Sequence, residues 1–61
     1  MKILISMNNG DYFKFEITEE NYKEFKGDTI IYDWIRLNEY GYNENEEVII
    51  RKENISYYGV V

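Results

Sequence analysis

The chain has 61 residues with seven basic and twelve acidic side chains, a net charge of −5. This length sets a single domain spanning residues 1–61. The absence of Cys, His and Pro excludes disulfides, thiol nucleophiles, zinc-finger chemistry, His-based acid–base catalysis and Pro-rich ligand segments.

The opening residues read as a β-hairpin. Ile3, Leu4, Ile5 and Met7 lead into Asn8-Asn9-Gly10 and then Tyr12-Phe13-Lys14-Phe15-Glu16-Ile17, and Asn-Gly between apolar runs is a strong short-range hairpin signal. A two-residue loop would set Ile5 opposite Lys14 and Ile3 opposite Glu16. A three-residue loop over Asn8-Asn9-Gly10 pairs Ile5 with Phe13 and Ile3 with Phe15, gathers one apolar face, and puts Gly10 where a left-handed residue is needed. Because a slip of one residue inverts every side chain, the three-residue loop is expected.

A short helix follows. Thr18 is placed to cap it, with Glu19 and Glu20 in the first turn and Ile17 and Tyr22 at the positions of a hydrophobic staple. Tyr22 and Phe25 share the core-facing side, and Gly27 is the expected terminator. Residues 28–40 carry two patterns. Ile30, Ile31, Trp34, Ile35 and Asn38 are spaced like a helix face, yet the stretch is rich in β-branched and aromatic residues. A strand over about residues 30–38 is the reading adopted.

Residues 39–47 read as a polar loop. The end reads as a second hairpin, Val48-Ile49-Ile50-Arg51 and Ile55-Ser56-Tyr57-Tyr58-Gly59-Val60-Val61 about a turn at Lys52-Glu53-Asn54. The expected class is α+β, a small antiparallel sheet with one short helix packed on it in the order β-β-α-β-β-β. Apolar runs such as Ile3-Leu4-Ile5 are too short to cross a bilayer, and Met1-Lys2-Ile3-Leu4 is too brief for a secretion signal. No membrane association and a cytoplasmic location are expected.

Little in the chain suggests catalysis. Ser6 and Ser56 have no His to serve as base, and the four Gly form no phosphate loop. Asn43-Glu44-Asn45-Glu46-Glu47 alternates oxygen donors but lacks the Asp, Gly and distant Glu positions of a calcium loop, so it reads as a solvated turn. No cofactor or metal is expected. A net charge of −5 disfavours direct nucleic-acid binding, which draws its affinity from phosphate contacts.

Two surfaces remain as binding candidates. Glu39, Glu44, Glu46 and Glu47 crowd one loop, with Asp28 and Asp33 in reach. Alternate residues of an extended segment lie about 6.6 Å apart, roughly two steps of DNA phosphates along a strand. Glu44 and Glu46 therefore match a stretch of backbone charge, with Trp34, Tyr40 or Tyr42 as apolar anchor. A bland reading, that the acidity only keeps a small protein soluble, outweighs it. The second surface is the final strand. Tyr57, Tyr58, Val60 and Val61 lie in a segment with no charge to guard an edge. A chain this small buries a modest share of its surface, and eleven aromatic residues supply the extra burial through packing within the chain or through self-association.

Met1-Lys2-Ile3-Leu4-Ile5, the Asn9-Gly10 turn, the strand Phe13-Lys14-Phe15-Glu16-Ile17 entering Thr18-Glu19-Glu20, and Val48-Ile49-Ile50 with Asn54-Ile55-Ser56-Tyr57 carry a resemblance. So does a composition in which Ile, Asn, Tyr, Lys, Phe and Met supply 33 of 61 residues, as AT-rich codons would. The chain resembles the small orphan proteins of phages, prophages and plasmids of AT-rich bacteria. That resemblance implies binding to a host enzyme or defence complex, and some such proteins, uracil-DNA glycosylase inhibitors and certain anti-CRISPR proteins among them, imitate DNA. It carries over no site residue. The expected function is a non-enzymatic, self-associating protein–protein interaction module, with a DNA-mimic inhibitor of a host nuclease, repair enzyme or defence effector as the alternative.

Overall fold

A computed structural model describes residues 1–61. Its order is β1 (Lys2–Met7), β2 (Tyr12–Glu16), α1 (Glu19–Ile31), β3 (Trp34–Arg36), a 3-10 turn (Leu37–Tyr40), β4 (Ile49–Arg51), a second 3-10 turn (Lys52–Asn54) and β5 (Ile55–Val60). The α+β class and the β-β-α-β-β-β order are those expected from the sequence. The strands form two antiparallel sheets, β2-β1-β5 and β3-β4.

The first hairpin takes the three-residue loop. Ile5 pairs with Phe13, Ile3 with Phe15 and Lys2 with Glu16. Gly10 has φ 94°, and the loop closes through Met7 N to Asp11 O at 2.8 Å and Asp11 N to Asn9 Oδ1 at 2.9 Å. Burying Ile3 and Ile5 completely selects this register.

Helix α1 starts as expected, with Thr18 Oγ1 accepting from Asn21 N at 3.0 Å. It does not stop at Gly27. Gly27 keeps a negative φ, and the helix runs on until Tyr32 N donates to Asp28 O. Residues 28–31 are therefore helical, and the expected strand over 30–38 contracts to Trp34–Arg36 followed by a 3-10 turn. Helical continuation half-buries Asp28 and Thr29 and brings the Asp28 carboxylate to the Tyr40 hydroxyl at 2.5 Å. Tertiary contact outweighs the cost of one interior glycine, about 1 kcal/mol.

The second hairpin is also corrected. β4 and β5 are consecutive but do not pair. β4 pairs with β3, setting Arg51 opposite Trp34, Ile50 opposite Ile35 and Ile49 opposite Arg36. β5 pairs with β1, setting Tyr58 opposite Ile5 and Val60 opposite Ile3, with a register shift at Ser6/Met7. The 3-10 turn between them carries the chain from one sheet to the other, and Asn8 holds that turn through its backbone N to Asn54 O (2.8 Å) and its Nδ2 to Glu53 O (3.0 Å). Handing β5 to β1 completes the ladder of the most buried strand, which a local hairpin would leave open.

The core is one cluster of Ile3, Ile5, Ile17, Phe25, Ile35, Leu37, Tyr40 and Ile50. Phe25 stands at its centre, edge-on to Tyr58 at 5.0 Å and to Tyr40 at 5.5 Å. Such ring pairs add about 0.5–1.5 kcal/mol each beyond area burial. Only eight residues are buried, so much of the large apolar inventory remains outside.

Candidate protein interface

The β3–β4 sheet sorts its side chains by alternation. Ile35 and Ile50 point inward, which turns Trp34, Arg36, Ile49 and Arg51 outward onto one face. The Arg51 guanidinium lies over the Trp34 indole, 5.3 Å from the ring centroid, and is held from the other side by Glu53 at 2.7 Å. Arg36 bridges Glu39 at 3.0 Å and Glu47 at 3.6 Å.

The end of α1 adjoins this face. Because the helix runs past Gly27, its last turn carries Ile30 and Ile31 into solvent, and Tyr32 follows. Trp34 is 58% exposed, Tyr32 56% and Ile49 51%. These three line a surface hollow of about 530 Å³ with Asp28, Arg36, Glu39 and Tyr40. Trp, Tyr and Arg around an apolar hollow are the residue types that dominate binding energy at protein interfaces. The ion pairs of Arg36 with Glu39 and Glu47 set two carboxylates against one guanidinium on this face.

The residues singled out from sequence divide. Trp34, Glu39 and Glu47 come together around Arg36. The Tyr40 ring is buried at 4% exposure, so it is core with only its edge at the hollow. Burial first, and then the hydrogen bond and charge of Asp28, push its phenol well above its usual value. Tyr42 lies elsewhere, edge-on to Phe13 and Phe15 at 5.9 and 5.5 Å. Desolvation and the Glu44 and Glu46 carboxylates raise its phenol as well. Glu44 and Glu46 are exposed, with no cation within ion-pair distance.

The loop bearing them is organised by a residue that sequence reasoning passed over. Asn38 Oδ1 accepts from Val48 N at 2.9 Å, while its Nδ2 donates to Glu46 O at 3.3 Å and Tyr42 O at 3.4 Å. Tyr32, Arg36, Ile49 and Arg51 were also passed over. Their signal lay in the match of Trp34-Ile35-Arg36 to Ile49-Ile50-Arg51, which shows only once those segments are paired.

The final strand presents a second surface. Tyr58 turns inward onto Phe25 and Tyr22, whereas Tyr57, Val60 and Val61 are 60%, 50% and 62% exposed. Tyr57 and Tyr12 flank Ser6 on the open face of the three-stranded sheet.

No family model matches the chain, and neither a curated protein nor a solved structure matches it. No helix is long and apolar enough to cross a membrane.

Proposed function

We propose that the protein is a non-enzymatic interaction module, of phage or mobile-element type and acting in the cytoplasm, that seats a protein partner on the Trp34 face and self-associates through β5. The observation that supports the first part is the Trp34–Tyr32–Ile49 hollow: three large side chains, each more than half exposed, beside Arg36 held in ion pairs, with Arg51 over the Trp34 ring. Leaving such groups in water is unfavourable by about 25 cal/mol per Å² of apolar surface, and a partner that covers them recovers it. The partner chemistry that fits is an apolar side chain entering the hollow, with a polar rim meeting Arg36 and Arg51. Affinity capture from host extract with wild type and Trp34→Ala tests it. Loss of one specific partner with the variant, at unchanged circular dichroism, is expected, and an identical partner set overturns the reading.

A second reading rests on Glu44 and Glu46, which project from their loop without a neutralising cation. It makes the loop a mimic of DNA backbone charge, offered to the basic groove of a nuclease, repair enzyme or defence effector. Replacing Glu44 and Glu46 with Gln abolishes partner capture under this reading and leaves it intact under the first.

A further inference from the structure

The open edge of β5 is self-complementary, and we infer that two copies of this chain join there antiparallel about a two-fold axis through Gly59, extending the three-stranded sheet across the interface. The inference rests on the self-association reading and assigns it an edge, a register and an axis.

The hydrogen bonds of β1 decide which backbone groups of β5 are free. Met1 O accepts from Ile17 N, and Met7 N donates to Asp11 O, so the odd residues of β1 bond to β2. Lys2 O accepts from Val61 N, so its even residues bond to β5. With Gly59 opposite Leu4 and Tyr57 opposite Ser6, the amides and carbonyls of Tyr57, Gly59 and Val61 face β1. Those of Tyr58 and Val60 therefore face outward, as alternation in an antiparallel ladder requires.

No strand of this chain pairs with them, since β5 is an edge of the sheet. The groove beside the start of this edge, about 540 Å³, is open between Thr29 of α1, Lys52 and Glu53 of the second 3-10 turn, and Ile55, Ser56, Tyr57 and Tyr58 of β5. The other edge of the sheet is closed off at its end. The Glu16 carbonyl of β2, which faces outward by the same alternation, lies against Gly41, where an added Cβ would sit 3.2 Å from it. β2 also carries Lys14 and Glu16, the kind of charge that blunts an edge, while Ile55–Val60 carries none.

The register follows from the residues. The shift at Ser6/Met7 distorts the start of β5, which leaves residues 57–61 as the regular stretch. Centring the axis on Gly59 pairs Tyr58 with the second copy's Val60 through exchanged hydrogen bonds, and its Val60 with the second copy's Tyr58 likewise. On the open face the same register sets Tyr57 against the second copy's Val61. Each is an aromatic–β-branched pair, a favourable cross-strand combination. The axis falls on a glycine that the single subunit does not require: Gly59 has a negative φ, and a Cβ built there meets nothing within 4 Å. A strand glycine with no demand from its own subunit marks a place of close backbone approach. Pairing β5 with itself also closes the assembly, whereas pairing β5 with β2 of another copy would propagate an open ribbon.

Sedimentation equilibrium of the full chain at micromolar concentration tests this with Gly59→Lys and Gly59→Glu, each checked for folding by circular dichroism. Wild type is expected to be dimeric. Each variant alone sets like charges opposite each other at the axis and weakens the dimer by about tenfold or more, and an equal mixture of the two restores it. Because the chain has no cysteine, Gly59→Cys provides a second readout: a symmetric disulfide forms readily, while Lys14→Cys on the charged β2 edge does not cross-link. A monomeric wild type overturns both the self-association reading and this inference. A wild-type dimer that either charge variant leaves unchanged, that the mixture fails to restore, or that Gly59→Cys fails to cross-link overturns the β5 register alone.

Discussion

The Tyr40 hydroxyl donates to Asp28 Oδ2 at 2.5 Å, joining the 3-10 turn after β3 to the third turn of α1. This one contact ties together the two departures from local sequence pattern, a helix that passes its glycine and an aromatic side chain that leaves a polar segment for the core.

Tyr40→Phe removes the donor and keeps the ring. Asp28 then keeps a half-buried carboxylate without its partner, so unfolding free energy should fall by about 1–2 kcal/mol. The pH dependence has a definite sign. The Tyr40 pKa is raised in the folded state above its ordinary 10.0, chiefly by burial and then by Asp28. The unfolded chain therefore loses this proton first. The stabilisation is complete below pH 10 and is lost as pH rises above it. Urea titrations through this alkaline range should show wild-type stability falling and the Tyr40→Phe slope shallower.

Gly27→Ala should stabilise the protein by about 0.5–1 kcal/mol, because Gly27 is helical and a Cβ there meets nothing within 4 Å. A helix ending at a left-handed Gly27 would give the opposite sign. Thermal denaturation of this variant separates the two.

Gly41→Ala should cost more than 1 kcal/mol. Gly41 has φ 116°, and its new Cβ would crowd the Glu16 carbonyl at 3.2 Å. Since this approach presses the acidic loop against β2, the variant should also raise amide exchange in residues 39–47 more than in α1.

Arg51→Ala leaves Trp34 in place but strips the cation from its ring. Trp34 is the only tryptophan, so its fluorescence reports on this site alone. Emission should move to longer wavelength, with a stability loss of about 0.5–1 kcal/mol. An unchanged spectrum would mean that the guanidinium does not rest on the indole in solution.

Much of the fold was legible where the determinants are close in sequence. The register of β1 with β2 followed from Asn8-Asn9-Gly10 and from the alternation of Ile3, Ile5, Phe13 and Phe15, because turn length and side-chain alternation are local properties. The start of α1 followed from Thr18 for the same reason. Trp34, Glu39 and Glu47 were legible as surface candidates from residue type alone, but the arginines and Tyr32 beside them were not, since no local pattern reports what lies opposite across a ladder.

The class, the first hairpin, the helix start and the inward side of Ile3, Ile5 and Phe25 are local in origin, set by near-neighbour sterics and the sorting of apolar from polar side chains. Where α1 ends, that β4 returns to β3 while β5 crosses to β1, and that Tyr40 is core are settled by long-range packing. Each of these turns on a competition between distant partners for one buried site. Local propensities differ by about 1 kcal/mol or less per residue, whereas burying a ring or completing a ladder is worth several, so the long-range term prevails wherever the two disagree.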